Sequence, residues 1–451
     1  LSKIAKQKKI KYFLISFVDL FGVLRSKLVP TEAIKDMQKN GAGFAGFATW
    51  LDMTPADADM FAIPDPESLI QIPWNKEVGW LASDLWMNGK PVEASPRVML
   101  KKQISRLSKN NMVLKSGVES EYFLINPEGT AISDSRDTQS KPCYDQSALM
   151  RKYDLIKEIC DSMIKLGWEP YQNDHEDANG QFEMNWNYSD CLTTADRHVF
   201  FKFMVKTIAE KHGLRATFMP KPFENLTGNG CHAHVSLWNG NKNLFLDKGD
   251  KLGLTRIAYN FLGGILNSAE GLSAFFNPSI NSYRRIDAPA TLSGASWSPS
   301  KISFTGNNRT HMIRIPDPGR FELRLMDGSI DASKREVGRC YAGDPKQANF
   351  GPRGIGLTNT LRTWLSMWSL KDSHCRGAPH LNRINLPALI IQSSGDTGVF
   401  PSDAESIYNA LGSEDKTLKM IDGDHYLIEP IGARKKAADL IANWLADNNA
   451  N

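Results

Sequence analysis

The stretch "GNGCHAHVSLW", residues 228–238, sets two histidines two positions apart in a run that alternates like a β-strand. Because successive side chains of a strand point to opposite faces, His232, His234 and Ser236 share one face. The glycines ahead of the run predict a turn. An isolated pair of this kind is usually a partly exposed polar strand face, so a metal or an anionic substrate requires further ligands elsewhere in the chain.

The bulk composition limits the classes of protein to consider. A chain of 451 residues is too long for one ordinary core, which predicts two or three domains. A net charge of +4 without long Lys/Arg blocks argues against a nucleic-acid partner. No run approaches the ~20 apolar residues of a membrane span.

Targeting and redox features are equally informative. The apolar run at 10–18 follows lysines as in a signal peptide, but Asp19 interrupts it and no cleavage site follows, so it is interpreted as a buried strand. The six cysteines form no CxxC pair, which argues against a zinc knuckle or a disulfide framework. These features predict a cytoplasmic protein.

Three regions differ in pattern. Residues 1–94 mix short strands with Pro- and Asp-rich loops, which predicts a small separate domain. From residue 96, strands alternate with amphipathic helices in an α+β arrangement, and the helices are predicted over 98–109, 148–166, 195–212 and 254–268. Beyond about residue 331 a β-α-β-α rhythm predicts a parallel sheet.

Carboxylates in three other strand-like segments accompany His232, and in the first of these Glu119 and Glu121 lie two positions apart on one predicted strand face. Like charges this close raise one another's pKa unless a cation lies between them. Five glutamates and one histidine are hard, mostly oxygen ligands, typical of two Mg²⁺ or Mn²⁺ ions rather than zinc. Each segment alone is usually a solvated face, whereas the series is far more specific. The segments are "GVESEYF", "HEDANGQFE" and "RFELR", with Glu119, Glu121, Glu176, Glu183 and Glu322.

A pair of divalent ions indicates a substrate with concentrated negative charge, for which nucleotide phosphate is the obvious choice. Arginines bind such oxygens in pairs through their planar forks. The segments "NSYRRI" and "GNNRTHMIRIP" supply Arg285, Arg309 and Arg314. Arg284 and Arg320 are equally consistent with ordinary surface positions.

Taken in order, these motifs and "VDLFGVLRSKLVP", "IPDPESL" and "ATFMPKPF" resemble the glutamine synthetase family over residues 1 to about 330. The similarity is greatest to a divergent bacterial branch that includes ligases for other amines. The resemblance implies a β-grasp N-terminal domain over 1–94 and a glutamine synthetase-type catalytic domain over 95–331. It also implies a homo-oligomer that joins ammonia or an amine to the γ-carboxylate of glutamate through γ-glutamyl phosphate, with ATP as co-substrate.

The resemblance assigns roles residue by residue. One ion would be bound by Glu121, Glu176 and Glu183. The other would be bound by Glu119, His232 and Glu322. Nucleotide positions are His234, Ser236, Arg309 and Arg314. Glutamate positions are Thr227, Gly228, Arg285 and Arg324. The arginines expected to stabilise the transferring phosphoryl group are Arg285, Arg309 and Arg324.

The chain departs from the family pattern at two places. The flap that usually carries a glutamate reads "DAPATLSGASW", residues 287–297, with Asp287 as its only acid, so the acceptor amine stays open. The pattern then ends near residue 331, which predicts a catalytic domain without its C-terminal part and a small or heterogeneous oligomer.

Residues 332–451 instead resemble the C-terminal part of an α/β-hydrolase. Asp396 and His425 fall at the acid and base positions of a Ser-His-Asp triad, but the sequence has no GxSxG nucleophile elbow. Two alternative functions are therefore a serine-type hydrolase built on this tail and a catalytically impaired, nucleotide-binding homologue or fusion.

Overall fold

The computed structural model of the chain describes residues 1–324 apart from 287, 289, 290, 292, 294, 295 and 300, and residues 381–396, 401–424 and 427–449. The chain divides into two compact units, Leu1–Ser329 and Ile330–Asn451. None of the helices in the described ranges combines the length and apolar character that crossing a bilayer requires.

The first sheet of the larger unit contains seven strands, and residues 12–18 of the apolar run form its strand β1, in agreement with the predicted strand. Five of them lie in the order β2-β1-β6-β4-β3, with β5 and β7 paired to β6. Apolar side chains from β1 and β6 form its core with helices α1 and α2. Identification of this region as a β-grasp domain stays a prediction. The bounds are α1 Ser2–Lys8, β1 Tyr12–Val18, β2 Leu24–Pro30, α2 Ile34–Asn40, β3 Ala42–Phe44, β4 Met60–Pro64, β5 Ile70–Gln71, β6 Val78–Met87 and β7 Lys90–Pro91.

Two further sheets form the rest of the larger unit. A four-stranded antiparallel sheet has the order β10-β11-β9-β13, and a seven-stranded sheet has the order β12-β8-β14-β18-β17-β16, with β15 paired to β14. Their strands are β8 Val113–Ser120, β9 Tyr122–Ile125, β10 Pro170–His175, β11 Gln181–Trp186, β12 Ser189–Asp190, β13 Arg215–Thr217, β14 Cys231–Asn239, β15 Lys242–Asn243, β16 Phe304–Thr305, β17 Ile313–Arg314 and β18 Phe321–Leu323.

The helices occur where the amphipathic pattern predicts them, with shifted ends. The predicted helix over 148–166 is two helices, because Lys152 (φ −108°, ψ 12°) leaves the helical conformation between them. The helix predicted from 195 begins at Cys191, since the Asp190 carboxylate caps the backbone N–H groups of Leu192 and Thr193. The bounds are α3 Pro96–Ser108, α4 Gln146–Arg151, α5 Tyr153–Lys165, α6 Cys191–Lys211, α7 Arg256–Phe276 and α8 Ile280–Arg285.

The cores lie behind the four-stranded sheet and the second seven-stranded sheet and leave one face of β14 polar. An aromatic and aliphatic core packs α5 and α6 against the four-stranded sheet. Val235 and Leu237 of β14 point into a second core with α7 and Phe321. Because strand side chains alternate, the histidines of β14 point away from that core.

A buried ion cluster joins the first sheet to helices α3 and α6. The Arg97 guanidinium at the start of α3 donates to Asp65 at 2.8 Å, Asp84 at 2.6 Å and both oxygens of Asp196 at 3.0 and 2.9 Å. Asp65 and Asp84 belong to the first sheet region, whereas Asp196 lies on α6. The cluster fixes the position of α6 relative to the N-terminal strands.

The smaller unit contains a parallel strand pair, as the β-α-β-α rhythm predicts. Strand β19 pairs in parallel with β20 over all six residues of each. The bounds are β19 Ala388–Ser393, α9 Pro401–Ala410, β20 Lys416–Ile421 and α10 Ala433–Asn449. Resemblance of this unit to an α/β-hydrolase stays a prediction.

Candidate functional site

The histidines of β14 lie between carboxylates from both neighbouring strands. In the antiparallel register His232 lies opposite Glu119 of β8, and His234 lies opposite Glu322 of β18. Directly paired residues of neighbouring strands project to the same face of a sheet. Sheet pairing therefore brings together three of the six predicted metal ligands, Glu119, His232 and Glu322, and adds His234, which the resemblance assigns to the nucleotide.

The distances within this group are short enough for shared ligation. His232 Nδ1 lies 3.5 Å from Glu119 Oε2 and 3.7 Å from Glu322 Oε1. His234 Nε2 lies 2.9 Å from Glu119 Oε1, yet neither ring nitrogen of His234 makes a well-oriented hydrogen bond. Burial acts to raise the pKa of Glu119, but the two adjacent imidazoles lower it well below its usual range.

The second acidic group forms where the chain passes from one sheet to the other. The prediction that Glu119 and Glu121 share one face of a continuous strand is wrong, because β8 ends at Ser120 and β9 belongs to a different sheet. Glu121 lies between the strands, where its carboxylate accepts from the Gly230 N–H at 2.7 Å and from Gln181 Nε2 at 3.1 Å. This break directs Glu121 toward Glu176 and Glu183.

These carboxylates and imidazoles fit divalent cations. Three sets offer one ligand atom per residue, with all atoms of a set within 4.8 Å of one another. Burial and neighbouring carboxylates raise the pKa values of Glu176 and Glu183 well above the ordinary value, a crowding that a cation relieves. Glu183 belongs to two sets, whereas the resemblance places it in one. The sets are Glu121, Glu176 and Glu183; Glu119, Glu183 and His232; and Glu119, His234 and Glu322.

Two glycines before β14 permit this close approach. A Cβ on Gly228 would lie 2.3 Å from the Pro220 carbonyl oxygen and 2.9 Å from Cγ of Arg285. A Cβ on Gly230 would lie 3.0 Å from His232 Nε2 and 3.3 Å from Glu121 Oε1. The glycines of the opening motif are thus required where the backbone passes the acidic group.

The predicted arginines converge on the same cavity. Arg314 Nε donates to Glu322 Oε2 at 2.7 Å, and Arg324 Nη1 donates to Glu322 Oε1 at 2.9 Å. Glu322 is fully buried, and although burial acts to raise its pKa, the adjacent histidines and Arg314 lower it. Arg320 does not line this cavity: it pairs with Asp317 at 2.7 Å and lines a separate, adjoining cavity.

The cavity has a volume of about 520 Å³, and its lining includes most of the predicted site residues. Arg285 lies in its wall, and burial lowers the pKa of this guanidinium. Thr227 donates to Asp177 Oδ2 at 2.7 Å and contacts Thr291 of the flap segment at 3.0 Å. Asp287 of that segment lies outside the described residues. The predicted residues in the lining are Glu119, Glu121, Glu176, Glu183, Thr227, Gly228, His232, Arg285, Arg309, Arg314, Glu322 and Arg324.

The remaining nucleotide positions, His234 and Ser236, line an adjoining cavity of about 300 Å³ that shares Glu119 with the first. Its wall carries Trp238, whose Nε1 donates to Ser236 Oγ at 2.8 Å. Lys115 Nζ lies 4.0 Å from the centre of the Trp238 ring. An aromatic ring, a cation and a hydroxyl in one cavity suit a planar base with an anionic extension.

The sequence interpretation missed a further wall of the main cavity. Asp174 of β10 lines it, and Asp174 Oδ1 is buried without a hydrogen bond. Burial and the carboxylates of Glu119 and Glu121 raise the pKa of Asp174 to about 6. Asp174 lies two positions before Glu176 on an alternating strand, a signal that could have identified it. Lys141, Cys143 and Tyr144 come from a loop that carries no such signal.

Of the predicted triad remnants of the smaller unit, the structure describes only Asp396. Asp396 lies just beyond β19, and its backbone N–H donates to the Ser393 carbonyl at 3.3 Å. His425 lies outside the described residues. A hydrolytic role for these two residues stays a prediction.

Comparison with known proteins agrees with this geometry. Residues 93–331 match the family model of the glutamine synthetase catalytic domain. The chain is 62% identical over 333 residues to the glutamine synthetase of Rhizobium leguminosarum bv. phaseoli, covering 73% of this chain and 77% of that protein. It is 44% identical over 333 residues to the glutamate–methylamine ligase of Methyloversatilis universalis, covering 72% and 75%.

A solved structure shows a similar fold. The complex of GmaS with ADP is 64% identical and superposes with a TM-score of 0.70, covering 73% of this chain and 76% of that one. The matched family model, these relatives and the convergent acidic cavity lead to one conclusion: the chain belongs to the glutamine synthetase family of ligases.

Proposed function

We propose that this chain is an ATP-dependent ligase that joins ammonia or a small primary amine to the γ-carboxylate of glutamate. The observation that carries the proposal is a single cavity in which five glutamates and a histidine face four arginines. A nucleotide phosphate beside a carboxylate substrate requires both the cation-binding carboxylates and the arginines. Few other substrates do. The family generally uses ATP and divalent metal ions, and relatives bear the names glutamine synthetase and glutamate–methylamine ligase.

Two Mg²⁺ or Mn²⁺ ions bound to the acidic groups would neutralise phosphate charge and orient the phosphoryl group for transfer. The proposed ligands of one ion are Glu121, Glu176 and Glu183. Those of the other are Glu119 and Glu322 with His232, and His234 lies close enough to the same carboxylates to contribute as well.

The arginines of the chain are assigned to the charged ends of the substrates. In the first step a γ-carboxylate oxygen attacks the γ-phosphorus of ATP, and the bond to the β,γ-bridging oxygen breaks to release ADP. Arg309 and Arg314 bind the nucleotide phosphates, while Arg285 and Arg324 bind glutamate beside Thr227 and Gly228. Because Glu322 holds Arg314 and Arg324 in place, their guanidinium groups are oriented before substrates bind.

The acceptor amine is assigned to the wall of the main cavity that contains Asp174 and Tyr144, called the acceptor wall. In the second step the amine nitrogen attacks the acyl carbon of γ-glutamyl phosphate, and the carbon–oxygen bond breaks to release inorganic phosphate. The nitrogen gives its proton to a carboxylate. Asp174 suits this role because it lines the cavity and its Oδ1 makes no hydrogen bond within the described residues.

The assay measures phosphate release from ATP with glutamate, Mg²⁺ and a panel of ammonia, methylamine, ethylamine and hydroxylamine. We expect turnover that requires both glutamate and an amine. Glu119→Gln should abolish it, while Glu128→Gln, an exposed glutamate outside the cavity, should leave it intact. Nucleotide binding without glutamate-dependent turnover would instead favour an impaired homologue, and reaction with a fluorophosphonate probe would favour a hydrolase.

The organisation of the protein remains part of the proposal. We infer a β-grasp domain over 1–94, a catalytic domain over 95–331 and a homo-oligomer in the cytoplasm. Light scattering on the purified chain measures the oligomeric state, and a fully active monomer would contradict the proposed homo-oligomer.

A further inference from the structure

A buried polar network lies directly behind the acidic cavity and contains none of the residues assigned above. Asp137, His175 and Asn179 are 4%, 0% and 5% exposed. Asp137 comes from the loop between β9 and α4, whereas the other two flank the Glu176 segment. Polar side chains this deeply buried occur where each is held by specific partners.

The Asp137 carboxylate is the centre of the network. Its Oδ2 lies 2.6 Å from His175 Nε2 and accepts the Gly180 N–H at 2.7 Å, while Oδ1 accepts from Asn179 Nδ2 at 2.9 Å. On its other side, His175 Nδ1 lies 2.9 Å from the carbonyl oxygen of Glu176. One carboxylate therefore fixes both ends of the short segment that carries Glu176.

This segment ends in a tightly packed glycine turn. Gly180 has φ 76°, and a Cβ there would lie 2.9 Å from Cβ of Ile132. The turn leads directly into β11, where the Gln181 side chain contacts Glu121 at 3.1 Å. The same strand carries Glu183. The position of the Gly180 turn thus determines where all three carboxylates of this acidic group point.

The network also fixes the loop that forms the acceptor wall. Asn179 Nδ2 donates to the Gln139 carbonyl at 3.1 Å, and the Tyr144 N–H donates to the His175 carbonyl at 2.8 Å. Lys141, Cys143 and Tyr144 of this loop line the cavity. Asp137 therefore connects the acceptor wall to the segment of Glu176.

We propose that Asp137 is a positioning residue that sets the cation-binding geometry of Glu176 and Glu183 and, through the same contacts, the shape of the acceptor wall. The proposal rests on the proposed function for its effect on the amine, but its effect on cation binding does not. In other proteins, mutation of a residue that orients the metal ligands typically weakens metal affinity by about 10- to 100-fold.

The experiment compares Asp137→Asn with Asp134→Asn in the full chain. Asp134 is a matched control because it is a buried carboxylate on the same loop, paired with Arg151, and does not line the cavity. The measurements are Mn²⁺ affinity by electron paramagnetic resonance, melting temperature without metal, and KM for the amine separately from KM for ATP.

Both variants should lower the metal-free melting temperature to a similar extent. Only Asp137→Asn should weaken Mn²⁺ binding about tenfold or more and raise KM for the amine about tenfold, with KM for ATP changed less than about threefold. If Asp137→Asn does not fold, Asn179→Ala, which removes one contact, replaces it and should give the same pattern with smaller changes.

Equal Mn²⁺ affinity in Asp137→Asn and the wild type would overturn the proposal, as would equal losses in the Asp134→Asn control. Absence of glutamate-dependent turnover in the wild type would refute the proposed function alone, because Mn²⁺ affinity still tests the role of Asp137.

Discussion

Replacement of Glu183 by glutamine should stabilise the protein without metal and weaken its response to metal. Glu183 is 6% exposed, and it is shared by two of the three ligand sets. Burial and the charges of Glu176, Glu121 and Glu119 raise its pKa well above the ordinary value. Glutamine keeps the shape and the oxygen that accepts from Asn185 Nδ2 at 3.0 Å, so the change removes mainly a charge.

The size of the effect follows from the spacing of the ligand atoms. Two unit charges 4.8 Å apart repel by about 3.5 kcal/mol at an effective dielectric constant of about 20. Retained protons relieve part of this repulsion in the wild type. We therefore expect Glu183→Gln to increase the free energy of unfolding by about 1 to 2 kcal/mol at pH 8 without metal.

The pH dependence has a definite sign. Because the folded state of the wild type raises the pKa of Glu183, it binds this proton more tightly than the unfolded state does. The stability from this carboxyl group is thus present below its unfolded pKa and is lost as pH rises through the folded pKa. Glutamine does not titrate, so the advantage of the variant should be absent near pH 4 and grow toward pH 8.

With saturating Mg²⁺ the difference in stability between the variant and the wild type should nearly vanish. A ligand that binds only the folded state adds RT ln(1 + [L]/Kd) to its stability, so tenfold weaker binding removes about 1.4 kcal/mol of that increment. Urea unfolding, monitored by tryptophan fluorescence, measures the free energy of unfolding in four conditions: pH 4 and pH 8, each with Mg²⁺ or EDTA. Exposed Glu128→Gln is the control. A variant that is less stable than the wild type in EDTA at pH 8 would refute the reasoning.

Three other substitutions test separate parts of the site. Gly230→Ala places a methyl group 3.0 Å from His232 Nε2, so it should abolish the melting-temperature increase with Mn²⁺ while the fold is kept; a normal increase would contradict the close packing. Arg97→Ala leaves Asp196 without its cation, and Asp65 and Asp84 with Lys101 alone, so it should lower the free energy of unfolding by about 3 kcal/mol; a loss below about 1 kcal/mol by urea titration would show that the cluster is solvated. Asp174→Asn should raise KM for the amine about tenfold and leave KM for ATP unchanged, and equal changes in both constants would exclude it from the acceptor wall.

The sequence by itself determined the local geometry and the chemistry of the ligands. Alternation along residues 228–238 predicts that His232 and His234 share a face, and β14 has that arrangement because the period of two is a property of any single strand. The series of glutamates predicts cation ligands because so many carboxylates in close proximity require a nearby positive charge. The strand at 10–18 and the parallel strand pair of the smaller unit follow from local hydrophobic patterns in the same way.

Only the tertiary structure decided which groups meet. Glu119 and Glu121 are separated by a change of sheet, and this change depends on the partners that β8 and β9 find elsewhere in the chain. Glu322 receives Arg314 because β17 and β18 pair in one particular register. Asp137 lies behind the cavity through contacts about forty residues distant, with Asn179 and Gly180. Pairing and packing between residues so far apart in sequence depend on the whole fold, so a local sequence pattern does not predict them.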